Sequence, residues 1–137
     1  MPDTLKLEIV TPDAQTFSGE VEMVTLPGSE GEMGIYPRHV PLMTQLVPGE
    51  VVVHKDGQDI FLAVGDGFVE ITGDRVAILT DMAINADDID ENKAEEARRR
   101  AEARLAEQLG EEENAVVSAA LAHALAQIHV KRRRHHS

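Results

Sequence analysis

Hydrophobic positions between Leu5 and Thr80 recur with period two, the signature of half-buried strands. Leu5, Leu7 and Ile9 alternate with Lys6 and Glu8, and Val21, Met23 and Thr25 alternate with Glu20, Glu22 and Val24. Further on, Val51 and Val53 lead into a turn at Lys55-Asp56-Gly57, from which Ile60, Leu62 and Val64 return. Gly65-Asp66-Gly67 sets off a strand from Phe68 to Ile71, and Gly73-Asp74 sets off another from Val76 to Leu79. Asp-Gly and Gly-Asp pairs flanked by alternation are hairpin signals, and strands this short and closely spaced predict an antiparallel sandwich or flattened barrel. Val51-Val52-Val53 and Val76-Ala77-Ile78-Leu79 are apolar on both faces, which calls for a second covering layer, either a packed sheet or other protein.

At Asp87 the period changes to that of a helix. Asp88-Ile89-Asp90-Glu91 reads as a capping box, with an acid at the cap, Glu three residues on, and negative charge at the positive end of the helix dipole. The first helix then carries Ala94, Ala97, Ala101, Leu105 and Leu109 on one stripe and is expected to end at Gly110. Glu111 to Asn114 would make the turn, and Val117, Leu121, Leu125 and Ile128 would form the inner face of a second helix. The pattern therefore predicts an α+β chain: an antiparallel β-sandwich over residues 1–86, then an antiparallel two-helix hairpin over 87–137 with arms of ~30 Å. Alanine stripes bury little area at ~25 cal/mol per Å², while alanine is the best helix former. Such a hairpin suits opening and re-docking.

Between the first strands and Val51 lies PGSEGEMGIYPRHVPLMTQLVPG, residues 27–49, which holds four of the six prolines and four of the ten glycines. Its prolines fix φ and remove donors, so it reads as a long, shaped surface loop of the kind that carries function. Ile35, Tyr36, Leu42, Met43 and Leu46 are its expected anchors to the core.

Composition narrows the chemistry. With no cysteine among 137 residues, disulfides, thiolate metal sites and cysteine nucleophiles are excluded. The net charge of −12 is concentrated in residues 1–86, and with one Tyr and three Phe the chain is poorly equipped for phosphate backbones or base stacking. No apolar run approaches the ~20 residues of a membrane span, and MPDTLKLEIV lacks the basic start and long apolar run of a secretory signal. A soluble protein of the cytoplasmic side, reaching a membrane only through a partner, is the expectation.

No catalytic motif is present: no Gly-x-Ser-x-Gly elbow, no His-Glu-x-x-His, no phosphate-binding Walker loop. Asp66 belongs to turn chemistry, and His39 on its own reads as a brace for its loop. The cluster Arg98, Arg99, Arg100 and Arg104 reads first as a solvated helix face, with Glu95–Arg99 and Glu96–Arg100 as i,i+4 pairs of ~0.2–0.5 kcal/mol. Lys131, Arg132, Arg133 and Arg134 read as a solubilising tail, with His135 and His136 expected to be disordered.

The strings GSEGEMGIYPRHVPLMTQLVPG and LKLEIVTPDAQTFSGEVEMV resemble the epsilon subunit of rotary F-type ATP synthases of bacterial type, and the likeness extends into the helical tail. The resemblance implies a central-stalk rotor subunit that does no bond chemistry, couples the γ subunit to the membrane c-ring, and serves ATP synthesis and hydrogen ion transport. It implies a peripheral location on the cytoplasmic face of the cell membrane. It makes Glu32, Met33, Gly34, Ile35 and His39 candidate c-ring contacts, and it would cover one apolar sandwich face with γ. Some members bind ATP through Ile/Leu-Asp-x-x-Arg-Ala and an arginine seven residues on. Here Ile89, Asp90, Lys93 and Arg100 stand in those places, with His123 and Gln127 where good binders carry arginine. Lys93 lacks the bidentate fork of arginine, so weak regulatory ATP is the most that is expected, and no other cofactor. The hairpin is implied to brake ATP hydrolysis, with Lys131, Arg132, Arg133 and Arg134 meeting the α/β catalytic head. Two rivals stand beside this reading: an ATP-sensing module, and a small enzyme built on His39 and a nearby carboxylate.

Overall fold

Alternation along the strands converts directly into a shared core. Leu5, Leu7 and Ile9 are fully buried, as are Val51, Val53, Leu62, Val64, Val69, Ile71, Val76 and Ile78, and all belong to one cluster. A computed structural model describes residues 4–135, with side chains through Arg133. The strands are β1 (Leu5–Val10), β2 (Gln15–Val21), β3 (Met23–Gly28), β4 (Gly31–Ile35), β5 (Leu42–Leu46), β6 (Gly49–Lys55), β7 (Gln58–Val64), β8 (Gly67–Thr72), β9 (Arg75–Thr80) and β10 (Ala83–Asn85). A 3-10 turn (Ala86–Asp88) leads to helices α1 (Glu91–Leu105) and α2 (Glu111–His135).

The strands form one continuous sheet in the order β10-β7-β6-β3-β5-β8-β9-β1-β2, with β4 pairing only β3, and the sheet folds over its own core as a sandwich. Every pairing is antiparallel except β1 with β9, which run parallel from Lys6–Arg75 to Val10–Leu79. That exception has a simple cause. A first strand and a ninth are joined by no tight turn, so nothing forces them to run in opposite directions. The β6–β7 hairpin closes at Asp56 (φ 52°) and Gly57 (φ 75°), the two positive angles of a primed turn matched to strand twist.

Two sequence expectations fail within the sheet. Val24 lies in the core, while Met23 and Thr25 are only partly buried. The chain breaks at Glu22, whose N–H bonds the His54 carbonyl at 2.8 Å, and this break between β2 and β3 shifts the phase by one residue. Residues 27–49 are also not one long loop, since β4 and β5 lie inside them and the irregular part shrinks to residues 36–41. Ile35 and Leu46 do anchor the segment, whereas Tyr36 and Met43 are well exposed and Leu42 only partly covered. In β5 the buried phase belongs to Leu46, which puts Met43 on the opposite face.

The helices also differ from their expected bounds. α1 is capped by Asp90, not Asp88, the Asp90 Oδ1 accepting from the Lys93 N–H at 3.2 Å. Asn85 caps the 3-10 turn before it and so displaces the start of the helix. α1 ends at Leu105, and Gly110 instead precedes α2, its carbonyl accepting from the Asn114 N–H at 2.8 Å. Glu111 to Asn114 are thus the first turn of α2, where acids face the positive dipole end. The arms are unequal: 15 and 25 residues, or about 22 and 37 Å at 1.5 Å per residue. His135 is helical, and His136 lies outside the described residues.

Replacing Ile9, fully buried in β1, by alanine is expected to cost about 2–5 kcal/mol, because the sheet cannot collapse around the cavity. Leu79→Ala, on the open face of β9, should cost under about 1 kcal/mol. Equilibrium urea melts of both variants test the contrast.

Candidate interaction surfaces

The second face of β7 is covered by the chain's own hairpin. Ala126 and Val130 of α2 pack with Ala63, Phe61, Ile84, Met82, Ala86 and Ile89, a small cluster separate from the sandwich core. Leu125, expected on the inner face, is 45% exposed, and the buried positions of α2 are Ala124, Ala126, Ile128 and Val130. A single a/d stripe could serve one neighbour, but α2 packs against both α1 and the sheet, so its contact surface is broader and rotated.

Polar contacts frame this apolar seam. His123 Nε2 lies 3.0 Å from the Asp81 carboxylate, and Gly65 leaves room for the pair, since a Cβ there would force both side-chain tips to move. Lys131 Nζ donates to the Ala86 carbonyl at 3.0 Å, and Arg133 donates to Glu50 Oε1 at 2.8 Å. Arg132 reaches across to α1, to Glu91 at 3.4 Å and Glu95 at 2.8 Å. Glu95 also pairs with Arg98 at 2.8 Å, so the expected Glu95–Arg99 pair gives way to an i,i+3 contact and one from the other helix. Three of the four tail cations are therefore engaged within the chain, while the side chain of Arg134 lies outside the described residues. Sequence reasoning missed Glu50. Its signal was slight: a carboxylate between Gly49 and the doubly apolar Val51–Val53.

A different face is left open. On β8 and β9, Phe68 opposes Leu79, and Leu79 opposes Val10 of β1, with Met43 of β5 on the same side. Met43 is 66% exposed, Phe68 57% and Leu79 51%, so large apolar side chains from three strands meet water together. Such a patch on a small protein marks an interaction surface. The outer face of β7 is thus covered by α2, while that of β8 and β9 is not.

The candidate edge residues sit along β4 and the loop beyond it. Glu32 and Gly34 are exposed, Met33 is partly buried and Ile35 is in the core, so Ile35 shapes this edge from within. Glu32 lies opposite Pro27, near the β3–β4 turn, whereas residues 36–41 emerge at the far end, beyond the Ile35–Val24 pair. The structure therefore places Glu32 and His39 at opposite ends of the strand, along one edge and not in one cluster. Loop 36–41 is tied down by Arg38 (φ 64°), whose N–H donates to Asp74 Oδ1 at 2.9 Å. His39 Nδ1 stands 2.7 Å from the Val40 carbonyl; a carbonyl only accepts, so Nδ1 donates.

The four residues of the nucleotide motif serve separate places. Ile89 is buried in the seam, Asp90 caps α1, Lys93 is exposed, and Arg100 lines a groove with Ala97, Arg104, Val116, Val117 and Ala120. Arg104 is engaged by Glu107 and Glu113. Among the described residues no group of three or more His, Asp or Glu side chains is placed to hold a metal, and no helix is long and apolar enough to cross a membrane.

These features define a two-part class of protein, a β-sandwich bearing a docked helical hairpin and an uncovered apolar face. Residues 4–86 match the beta-sandwich domain of the ATP synthase delta/epsilon chain, and residues 87–132 match the long alpha-helix domain of the same chain. The ATP synthase epsilon chain of Laribacter hongkongensis is 40% identical over 127 residues, covering 91% of each chain. That of Halorhodospira halophila is 42% identical over 127 residues, covering 91% of this chain and 90% of the relative. A chain in the structure of the Euglena gracilis mitochondrial ATP synthase superposes with a TM-score of 0.73 at 26% identity, over 89% of this chain and 78% of that one. A chain from the central stalk and c-ring of the Tetrahymena thermophila enzyme gives 0.54 at 12% identity, over 62% and 69%, a likeness of fold alone. The chain belongs to the epsilon-chain family of ATP synthase.

Val130→Asp would place a carboxylate with no partner in the seam between α2 and the sheet. Hydrogen exchange should show faster exchange of α2 amides and unchanged protection in β1, β8 and β9. Equal loss in both regions would mean that hairpin and sandwich unfold as one unit.

Proposed function

We propose that this chain is a non-catalytic subunit of the central stalk, in which residues 1–86 couple γ to the c-ring and residues 87–137 restrain ATP hydrolysis. The observation that carries the reading is the uncovered row Met43, Phe68 and Leu79 on a sandwich whose β7 face is closed by its own helix. An apolar surface of that kind suits γ, and the β4 edge with Glu32, together with the loop of His39, suits the polar loops of a c-ring. Rotation driven by ion flow, with H⁺ as the coupling ion, would then pass through the sandwich to γ. The site of action is the cytoplasmic face of the cell membrane, reached through the complex.

The hairpin is the regulatory part in this reading. Its docked form is held by a small apolar seam and a few ion pairs, and Lys131, Arg132 and Arg133 are all occupied by intrachain partners. Release of α2 would free those cations for an acidic surface of the α/β head, and docking would withdraw them. Electrostatic contacts of this kind act chiefly on the rate and orientation of association. Regulatory ATP is secondary at most, since Asp90 is spent on a helix cap and Lys93 replaces a forked donor.

The decisive comparison is ATP hydrolysis by the matching catalytic head with γ, given either the full chain or a chain ending at Ala86. Suppression by the full chain alone is expected. Equal hydrolysis with both, while both bind γ, would remove the brake from the function. Phe68→Glu should lower γ binding at least about tenfold, since it would desolvate a charge at the centre of the open face, with the fold retained by circular dichroism. Undiminished binding by that variant would place γ elsewhere.

A further inference from the structure

Ala126 and Val130 mark the stripe of α2 that faces the sheet, and His123 stands one turn earlier on the same stripe. Its Nε2 meets the Asp81 carboxylate at 3.0 Å, with 27% of the His123 side chain and 44% of the Asp81 side chain exposed. Asp81 is held firmly between β9 and β10. Its N–H donates to the Asp66 carbonyl at 3.0 Å, and Thr80 beside it is buried, with Oγ1 3.0 Å from the same carbonyl oxygen. The contact therefore joins a fixed carboxylate on the sandwich to an imidazole carried by the helix.

Other charges surround α2 on every side. From α1 come Glu91 and Glu95, both met by Arg132, and from β6 comes Glu50, met by Arg133. The 3-10 turn offers the Ala86 carbonyl to Lys131 and carries Asp87 and Asp88. On β7, Asp59 pairs with His54 at 2.6 Å, and Asp66 shares a groove with Asp81. Between about pH 5.5 and 8 an ordinary carboxylate, ammonium or guanidinium keeps its charge, whereas an imidazole does not. The second imidazole of α2 near the sandwich is His129, at a cavity of about 560 Å³ between the helix and the sandwich rim, with Glu32, Glu50 and Arg133 also in its lining. It is exposed and forms no ion pair among the described residues. His123 is thus the imidazole whose charge bears on a contact across the seam.

We propose that the Asp81–His123 contact is a pH-sensitive latch on the docked hairpin. With its second proton the imidazole is a cation against a carboxylate; without it the contact is a weaker, neutral-donor hydrogen bond. In a released hairpin both groups face water in either state, so the extra attraction belongs to the docked form with His123 charged. Docking is therefore favoured on the acid side of the imidazole range and weakens as pH rises through it. The pair is partly exposed, which keeps the effect modest. The seam it spans is thin, resting on Ala126 and Val130 of α2, so a modest change moves the balance. The latch is a property of the chain itself and stands apart from what the hairpin meets in a larger complex.

The test uses the absence of natural cysteine. Val130→Cys puts a single thiol in the buried seam of the full chain, where it reacts with dithiodipyridine only when the seam opens. Its labelling rate is divided at each pH by that of a free peptide of residues 126–133 carrying the same substitution, which removes the reactivity of the thiolate itself. From pH 5.5 to 8 the normalised rate should rise about two- to fivefold. His123→Gln and Asp81→Asn, which keep the shape of each partner, should each flatten that rise, and the double variant should flatten it no further. His129→Gln should leave it intact. A flat or falling profile in the Val130→Cys chain, an unchanged rise in His123→Gln or Asp81→Asn, or a rise abolished by His129→Gln overturns the proposal. No partner subunit enters the experiment, so its outcome is independent of the stalk function.

Discussion

The structure depends on one packing constraint: β7 has two apolar faces and only one can turn toward the sandwich core. Leu62 and Val64 take the inner side, leaving Phe61 and Ala63 on the outer side, where Ala126 and Val130 of α2 cover them. The position of the hairpin follows from that need. So do the length of α2, which must reach from the turn at Gly110 across the sheet, and the glycine at 65 that admits the His123–Asp81 pair. The cover is thin. One valine contributes about 1.5–3 kcal/mol on full burial and an alanine much less, so the seam is far weaker than the core beneath it.

Weakness here is compatible with stability elsewhere. The sandwich core has its own cluster of large buried residues and does not use the helices. The ion pairs around the seam are mostly exposed and worth little individually, apart from Glu50–Arg133, in which the carboxylate is almost wholly buried. Removal of Arg133 would leave that charge uncompensated, so this pair resists partial loosening more than the alanine contacts do. The balance suits a hairpin with two discrete positions better than one that drifts.

The exposed row from Met43 to Leu79 lies on strands that the hairpin does not cover, whereas Glu32 of the β4 edge lines the groove beside α2. A small protein can expose apolar surface on one face and a polar edge on another without sacrificing its fold. The cavity at the α2 rim adds a third kind of surface, formed only while the helix is docked.

Much of the architecture was legible in the sequence, because side-chain period reports directly on burial. Alternation located most of the sandwich strands, Asp56-Gly57 located a primed turn, and the change at Asp87 located the helices. Local rules failed where one residue shifts a phase or two signals compete: the break at Glu22, the cap at Asp90 in place of Asp88, and Gly110 opening α2 in place of closing α1. The doubly apolar strands were visible from sequence, but which partner covers each was not. That was decided only by tertiary structure, as were the engagement of Glu50 by a residue 83 positions away and the placing of Glu32 and His39 at opposite ends of one strand. Periodicity encodes which side of an element seeks cover; distance along the chain carries no record of what will provide it.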